Sequence, residues 1–145
     1  MSRIKIELPE EFLTVIEIPV RITDINYGNH VGNDALVSIL QEARVQMLQK
    51  AGFKNELEIE GIGLIMAGLM MEYKQEAFYG DVLKIYLAVT DISTKSFVLL
   101  YKLTALRKDN NILIARAKTE MVCYDYLLKK IAPVPATLIK FLEAH

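Results

Sequence analysis

A chain of 145 residues with 52% hydrophobic and 24% charged residues is long enough to bury one core and too apolar to be disordered. Its net charge of −1, with lysines and arginines scattered along the chain, gives no field that would gather nucleic acid or an anionic membrane surface. A lone cysteine, Cys123, excludes an internal disulfide, and no Cys/His cluster has zinc spacing, so no metal site is expected.

The N-terminus, M-S-R-I-K-I-E-L-P-E-E-F, lacks the apolar centre of a signal peptide. The longest apolar run, Ile62 to Met71, falls short of the roughly 18 to 20 residues needed to cross a bilayer. The expectation is a single cytoplasmic domain over residues 1–145.

Thr14 to Ile22 has β-branched alternation with Pro19 inside it, which predicts an edge or bulged strand. A polar turn from Asp24 to Gly32 follows, with two glycines and two asparagines that tolerate positive φ. Asn33 or Gly32 then caps a helix that runs to about Ala51 and stops at Gly52, with Asp34 in its first turn and Lys50 in its last. Leu36, Leu40, Ala43 and Met47 recur at helical spacing, and Val37, Ile39 and Leu48 widen the stripe, so this is a core helix.

Phe53 to Glu60 is polar and acidic and reads as a loop. From there the period changes to that of strands: Leu64–Lys74, Val82–Ile92, Ser96–Arg107 and Ile112–Leu127. The second of these places Lys84, Tyr86, Ala88 and Thr90 on one face and Leu83, Ile85, Leu87 and Val89 on the other. Short links at Ser93–Lys95 and Lys108–Asn111 predict an antiparallel meander. Ala136 to Ala144, after Pro133 and Pro135, predicts a short helix.

The expected architecture is therefore α+β, in the order β-α-β-β-β-β, with a curved antiparallel sheet of about five strands around one long helix. Such a sheet leaves a long edge and one thinly covered face, which predicts a homo-oligomer.

The stretch Arg21 to Arg44 (R-I-T-D-I-N-Y-G-N-H-V-G-N-D-A-L-V-S-I-L-Q-E-A-R) joins a strand end, a polar turn and a helix start. A helix N-terminus offers backbone N–H groups to a developing negative charge. Asp24, Asn26, Asn29 and His30 stand beside it. Asp24 and Asn26 read equally well as Asx turns, and His30 as a loop hydrogen bond. Glu42 and Arg44 read as a solvated or interface pair. Tyr73, Tyr79, Tyr86, Met66, Met70 and Met71 are core residues or the lining of an acyl tunnel. Lys95 and Ser96 occupy a turn that is solvated or touches phosphates, and Cys123 reads as buried and inert.

The run D-I-N-Y-G-N-H-V-G-N-D…E-A-R resembles the hot-dog-fold acyl thioesterases of the 4-hydroxybenzoyl-CoA thioesterase type, with their D-x-D-x-x-G-H-V-x-N signature. Tyr73 to Leu83, Y-K-Q-E-A-F-Y-G-D-V-L, is similar to that family's Y-x-x-P-x-x-x-G-D-x-L, and K-I-A-P-V-P at Lys130 to its K-x-x-x-I-P. The resemblance spans nearly the whole chain. It implies a hot-dog fold, a homodimer or homotetramer, and a site at the dimer interface near the helix N-terminus. It also implies hydrolysis of acyl-CoA or acyl-carrier-protein thioesters without a cofactor, CoA or phosphopantetheine entering as part of the substrate.

The subgroup's catalytic carboxylate is the second Asp of D-x-D, and that position here is Asn26. An amide orients a water but takes up no proton near neutral pH. Three possibilities follow: Asp24 supplies the base, Glu42 supplies it, or the chemistry is absent. Glu42 lies nine residues beyond Asn33, roughly 13 Å along a helix rising about 1.5 Å per residue, so it serves only from a partner subunit. Asn26 and His30 then orient water or carbonyl, and amides near Asn33 hold the oxyanion. Tyr73, Lys95 and Ser96 are the candidate substrate contacts. The alternatives are a non-catalytic acyl-CoA or acyl-carrier binder, and a hot-dog hydratase or dehydratase.

Overall fold

The computed structural model describes residues 5–144; segment 1–4 and His145, which complete the expected 1–145 span, lie outside the described residues. Strand β1 (Thr14–Pro19) is followed by a 3-10 turn over Ile22–Asp24 and then by the long helix α1 (Asn33–Lys50). Strands β2 (Gly63–Tyr73), β3 (Val82–Thr90), β4 (Ser96–Arg107) and β5 (Asn110–Asp125) come next. A two-residue β6 (Lys130–Ile131) and the short helix α2 (Ala136–Leu142) complete the order. All pairings are antiparallel, in the order β1-β3-β4-β5-β2, with β6 on the end of β5.

Helix α1 behaves as its periodicity predicts. Leu36, Ile39, Leu40, Ala43, Met47 and Leu48 are buried, and they share one core with Leu83, Ile85, Leu87, Phe97, Leu99, Tyr101 and Leu103 from the sheet. Gly32 is the N-cap, and Gly52, at φ 97°, ends the helix in the left-handed conformation that glycine adopts freely. Register shifts between Met66 and Gly68 on β2, and between Leu103 and Thr104 on β4, are bulges of the kind that bend a sheet, here one wrapped on a helix.

Several boundaries differ from expectation. β1 stops at Pro19, and Ile22 belongs to the 3-10 turn, although β1 is indeed an edge strand where proline is tolerated. The β4–β5 connection is tighter than four residues: Lys108 (φ 48°) and Asp109 (φ 65°) make the whole turn, so β5 starts at Asn110. A sixth strand exists because Tyr124 and Asp125 pair with Ile131 and Lys130. Ala88 lies on the face assigned to it yet is buried, because Ile6, Leu8 and Phe12 cover it together with Val98 and Leu100.

Among the described residues β2 pairs only with β5, and its other edge is open. Met66, Leu69, Met70 and Tyr73 along it are each at least 37% exposed, and Tyr79 in the following loop is exposed as well. Core burial of Met66, Met70, Tyr73 and Tyr79 is therefore corrected.

Candidate functional site

The segment between β1 and α1 is tied down by backbone hydrogen bonds to the loop between β2 and β3. Val20 N–H donates to the Asp81 carbonyl (2.9 Å) and Val31 N–H to the Ala77 carbonyl (2.8 Å). Inside the segment, Asn26 N–H donates to the His30 carbonyl (2.9 Å), and Asn26 Oδ1 accepts from Gly28 N–H (2.8 Å), an Asx turn. Asn29, not either glycine, takes the left-handed conformation, at φ 64°. Gly28 instead makes space, since a Cβ there would lie 3.2 Å from His30 Nε2.

Asp24 faces away from solvent and is 5% exposed. Its carboxylate accepts from the Arg21 backbone N–H (2.8 Å) and from the Arg21 guanidinium (3.3 Å), while its carbonyl accepts from Gly32 N–H (3.1 Å). Asp24 thus fastens the chain just before the helix.

At the helix start the N-cap is glycine, which brings no side-chain acceptor. Gly32 N–H is used by Asp24, and Leu36 N–H by Gly32. The amides of Asn33, Asp34 and Ala35 are left without an acceptor among the described residues, at the positive end of an 18-residue helix.

A pocket of about 180 Å³ opens beside them, lined by His30, Asn33 and Leu36 on one side and Tyr73, Glu76 and Ala77 on the other. His30 Nδ1 lies 3.2 Å from the Val31 carbonyl, and Nε2 lies 3.9 Å from Glu76 Oε1. Burial raises the pKa of the Tyr73 phenol above its ordinary value, so it stays a hydrogen-bond donor.

His30, Asn33 and Tyr73 are brought together here, with Asn26 behind His30. Glu42 and the turn residues are elsewhere. Glu42 is exposed on α1, accepts from Gln46 Nε2 (2.8 Å), and lines an open groove of about 470 Å³ with Pro19, Arg21 and Val45. Ser96 pairs across the sheet with Val122, and Tyr73 with Ala115, which pairs in turn with Leu103. At ~3.3 Å per residue, Lys95 and Ser96 therefore sit roughly 23 Å from the pocket within one subunit. A larger cavity of about 480 Å³ lies under the N-terminal segment, and of the residues singled out in the sequence only Tyr86 lines it.

The expected Glu42–Arg44 pair does not form, because residues two apart on a helix face different ways. Arg44 is buried, and Arg44 Nε donates to Glu56 Oε2 (2.9 Å) and Nη1 to the Tyr101 hydroxyl (3.2 Å); that hydroxyl shares a 2.6 Å hydrogen bond with Thr119. Burial works against the Arg44 charge, but Tyr101 and Glu56 outweigh it and the guanidinium pKa rises. Cys123 is fully buried, and burial alone pushes its thiol up to about 11, an inert state.

Sequence reasoning missed Glu76, Asp81 and Arg107. Arg107 Nη2 donates to Asp81 Oδ2 (2.6 Å) and to the Glu76 carbonyl (2.8 Å), which fixes the loop carrying Glu76. Burial raises the Asp81 carboxyl, yet hydrogen bonds from Arg107 and Phe78 N–H outweigh it and hold the group below its ordinary range. A signal was present in the Tyr73–Leu83 segment, where Glu76 occupies the position at which the Y-x-x-P pattern has proline.

Residues 20–142 match the family model of the Thioesterase-like superfamily, and the chain belongs to that superfamily. No curated protein matches the chain in sequence. Among solved structures it is similar to a 1,4-dihydroxy-2-naphthoyl-CoA thioesterase from Synechocystis, at 22% identity and TM-score 0.78, covering 90% of this chain and 97% of that one. It is also similar to a gentisyl-coenzyme A thioesterase, at 19% identity and TM-score 0.77, covering 89% and 99%. A third is an aspartate-to-asparagine mutant of 4-hydroxybenzoyl-CoA thioesterase complexed with 4-hydroxybenzoyl-CoA, at 21% identity and TM-score 0.80, covering 90% and 98%. The architecture is the hot-dog fold of these thioesterases. Among the described residues no helix is long and apolar enough to cross a membrane.

Proposed function

We propose that this member of the thioesterase-like superfamily hydrolyses acyl thioesters of coenzyme A or of an acyl carrier protein in the pocket at the start of α1. The observation that carries this is the set of acceptor-free amides at Asn33, Asp34 and Ala35 beside His30. Amides fixed in the backbone need no rearrangement to receive a tetrahedral oxyanion, and one such donor contributes about 10²–10³-fold in rate. His30 and Tyr73 orient the carbonyl or the water, and Asn26 holds the loop that carries His30. The steps run through side chains and water alone, with CoA or phosphopantetheine arriving as part of the substrate.

The proposed working unit is a homodimer or homotetramer. The pocket, at about 180 Å³, is smaller than the roughly 300–1,000 Å³ usual for a whole ligand and suits only the reacting end of an acyl thioester. The open, apolar edge of β2 ends at Tyr73 on the pocket rim, so a second copy docked there would enlarge the pocket and cover the edge. From such a copy Glu42, Lys95 and Ser96 regain a route to the substrate.

A second reading, a non-catalytic binder of acyl-CoA or acyl carrier protein, is favoured by Asn26 itself, an amide engaged in an Asx turn where the family pattern has a carboxylate. Release of free thiol from a panel of acyl-CoAs separates the two. Turnover is expected with at least one acyl group; saturable binding without thiol release would establish the binder instead, and hydration of an enoyl-CoA a hydratase.

A further inference from the structure

We propose that Glu76 and His30 together hold the attacking water, with Glu76 as its general base, so that the carboxylate missing at Asn26 is supplied from the β2–β3 loop; this rests on the hydrolase reading above. The Val31 carbonyl only accepts, so the His30 Nδ1 that faces it at 3.2 Å carries the proton in the neutral ring, and Nε2 is left as an acceptor. Glu76 Oε1, 3.9 Å from Nε2, is also an acceptor. Two acceptors at that separation do not bond to each other, but a single water donating to both through bonds of about 2.8 Å spans the gap. Both its hydrogens are then directed at protein acceptors and its lone pairs point outward. The pocket that His30 and Glu76 line contains Asn33, the first residue of the acceptor-free helix start.

The other carboxylates lack this arrangement. Asp24 is spent on Arg21, and Glu42 lines a different groove. Glu76 is fixed at its backbone: Arg107 clasps its carbonyl, and the next carbonyl, of Ala77, accepts from Val31 N–H beside His30. His30 and Glu76 are thus held in mutual register by their own loops.

In the step itself the water oxygen bonds to the thioester carbon while one water proton passes to Glu76, and the carbonyl π pair moves onto oxygen beneath the helix amides. Collapse restores C=O and breaks C–S. The bonding pair leaves on sulfur, which takes the proton from Glu76, and the products are a carboxylic acid and a thiol.

The test measures thiol release and substrate saturation for the wild type and Glu76→Gln, a near-isosteric change at a side chain 62% exposed. The expected result is a kcat lower by about 10²-fold or more with KM within about twofold, since a positioned base contributes about 10²–10⁴-fold. A kcat within about threefold of an active wild type, or a change confined to KM, overturns this inference and leaves the hydrolase reading standing. Absence of thiol release by the wild type with every acyl-CoA and acyl-carrier substrate overturns both.

Discussion

Near the middle of α1, Arg44 is 5% exposed and bonded into a chain of side chains: Glu56 takes its Nε–H, Tyr101 its Nη1–H, and Thr119 continues the chain. Eleven residues earlier, roughly 16 Å along the same helix at about 1.5 Å per residue, the polar groups are left incomplete. Three amides lack acceptors among the described residues, His30 Nε2 and Glu76 Oε1 face each other 3.9 Å apart, and the cap is a glycine. The first cluster is closed, buried and shared by α1, the Phe53–Glu60 loop, β4 and β5, which is what a fold-fixing network requires. The second is open to a pocket. The extent of internal hydrogen bonding, more than residue type, separates the structural polar cluster from the one proposed to react.

The largest expected effect breaks the closed cluster. Glu56→Ala leaves a buried guanidinium without its carboxylate and should cost about 3–5 kcal/mol in denaturant unfolding, with kcat unchanged in whatever fraction stays folded. Arg44 and Glu56 replaced together by apolar residues should recover much of that loss, because no charge is then stranded.

A smaller effect is expected where the open cluster is braced. Arg107→Ala frees the Glu76 carbonyl and Asp81 together and should cost about 1–2 kcal/mol, as expected for a partly buried charge-assisted pair. It should also lower kcat more than it raises KM, since Arg107 positions Glu76 without touching substrate. The pH dependence carries a sign. The Asp81 carboxyl titrates below its ordinary value in the fold, so its contribution is present above the unfolded-state value and is lost as pH falls through the lower folded one. Arg107→Ala should flatten that acid limb of the stability curve.

The smallest effect belongs to Cys123, buried and lacking any charged partner. With the thiol raised from 9.0 to about 11, stability is full below pH 9 and falls as pH rises toward 11, because the unfolded chain ionises first. The loss should reach about 1 kcal/mol by pH 10 in urea titrations, and Cys123→Ala should remove it.

What was legible in the sequence follows the range of the interactions. The bounds of β4, the start of α1 and its stop at Gly52 are set by alternation, periodicity and capping within a few residues, and the chain adopts them as expected, with Gly32 the cap of the two candidates Asn33 and Gly32. The role of Arg44 was hidden because Glu56 is twelve residues away and Tyr101 fifty-seven, and local spacing suggested Glu42 instead. Asn26 was visible as the position where the family pattern loses its carboxylate. Glu76, facing His30 from 46 positions further along, was invisible to any local pattern; its only trace was a glutamate where the Y-x-x-P pattern has proline. Tyr73 was singled out from a segment that carries that pattern and lines the pocket, although its exposure depends on β2 being a sheet edge, which only the strand order establishes.

The central claim is that Glu76 serves as the base in the incomplete cluster at the helix start, and the rate of free-thiol release by Glu76→Gln, at a temperature where its unfolding curve overlays that of the wild type, tests it most directly. A rate lower by about 10²-fold or more at saturating acyl thioester, with unaltered stability, is the result this account predicts. Release at the wild-type rate by a folded Glu76→Gln protein would contradict it.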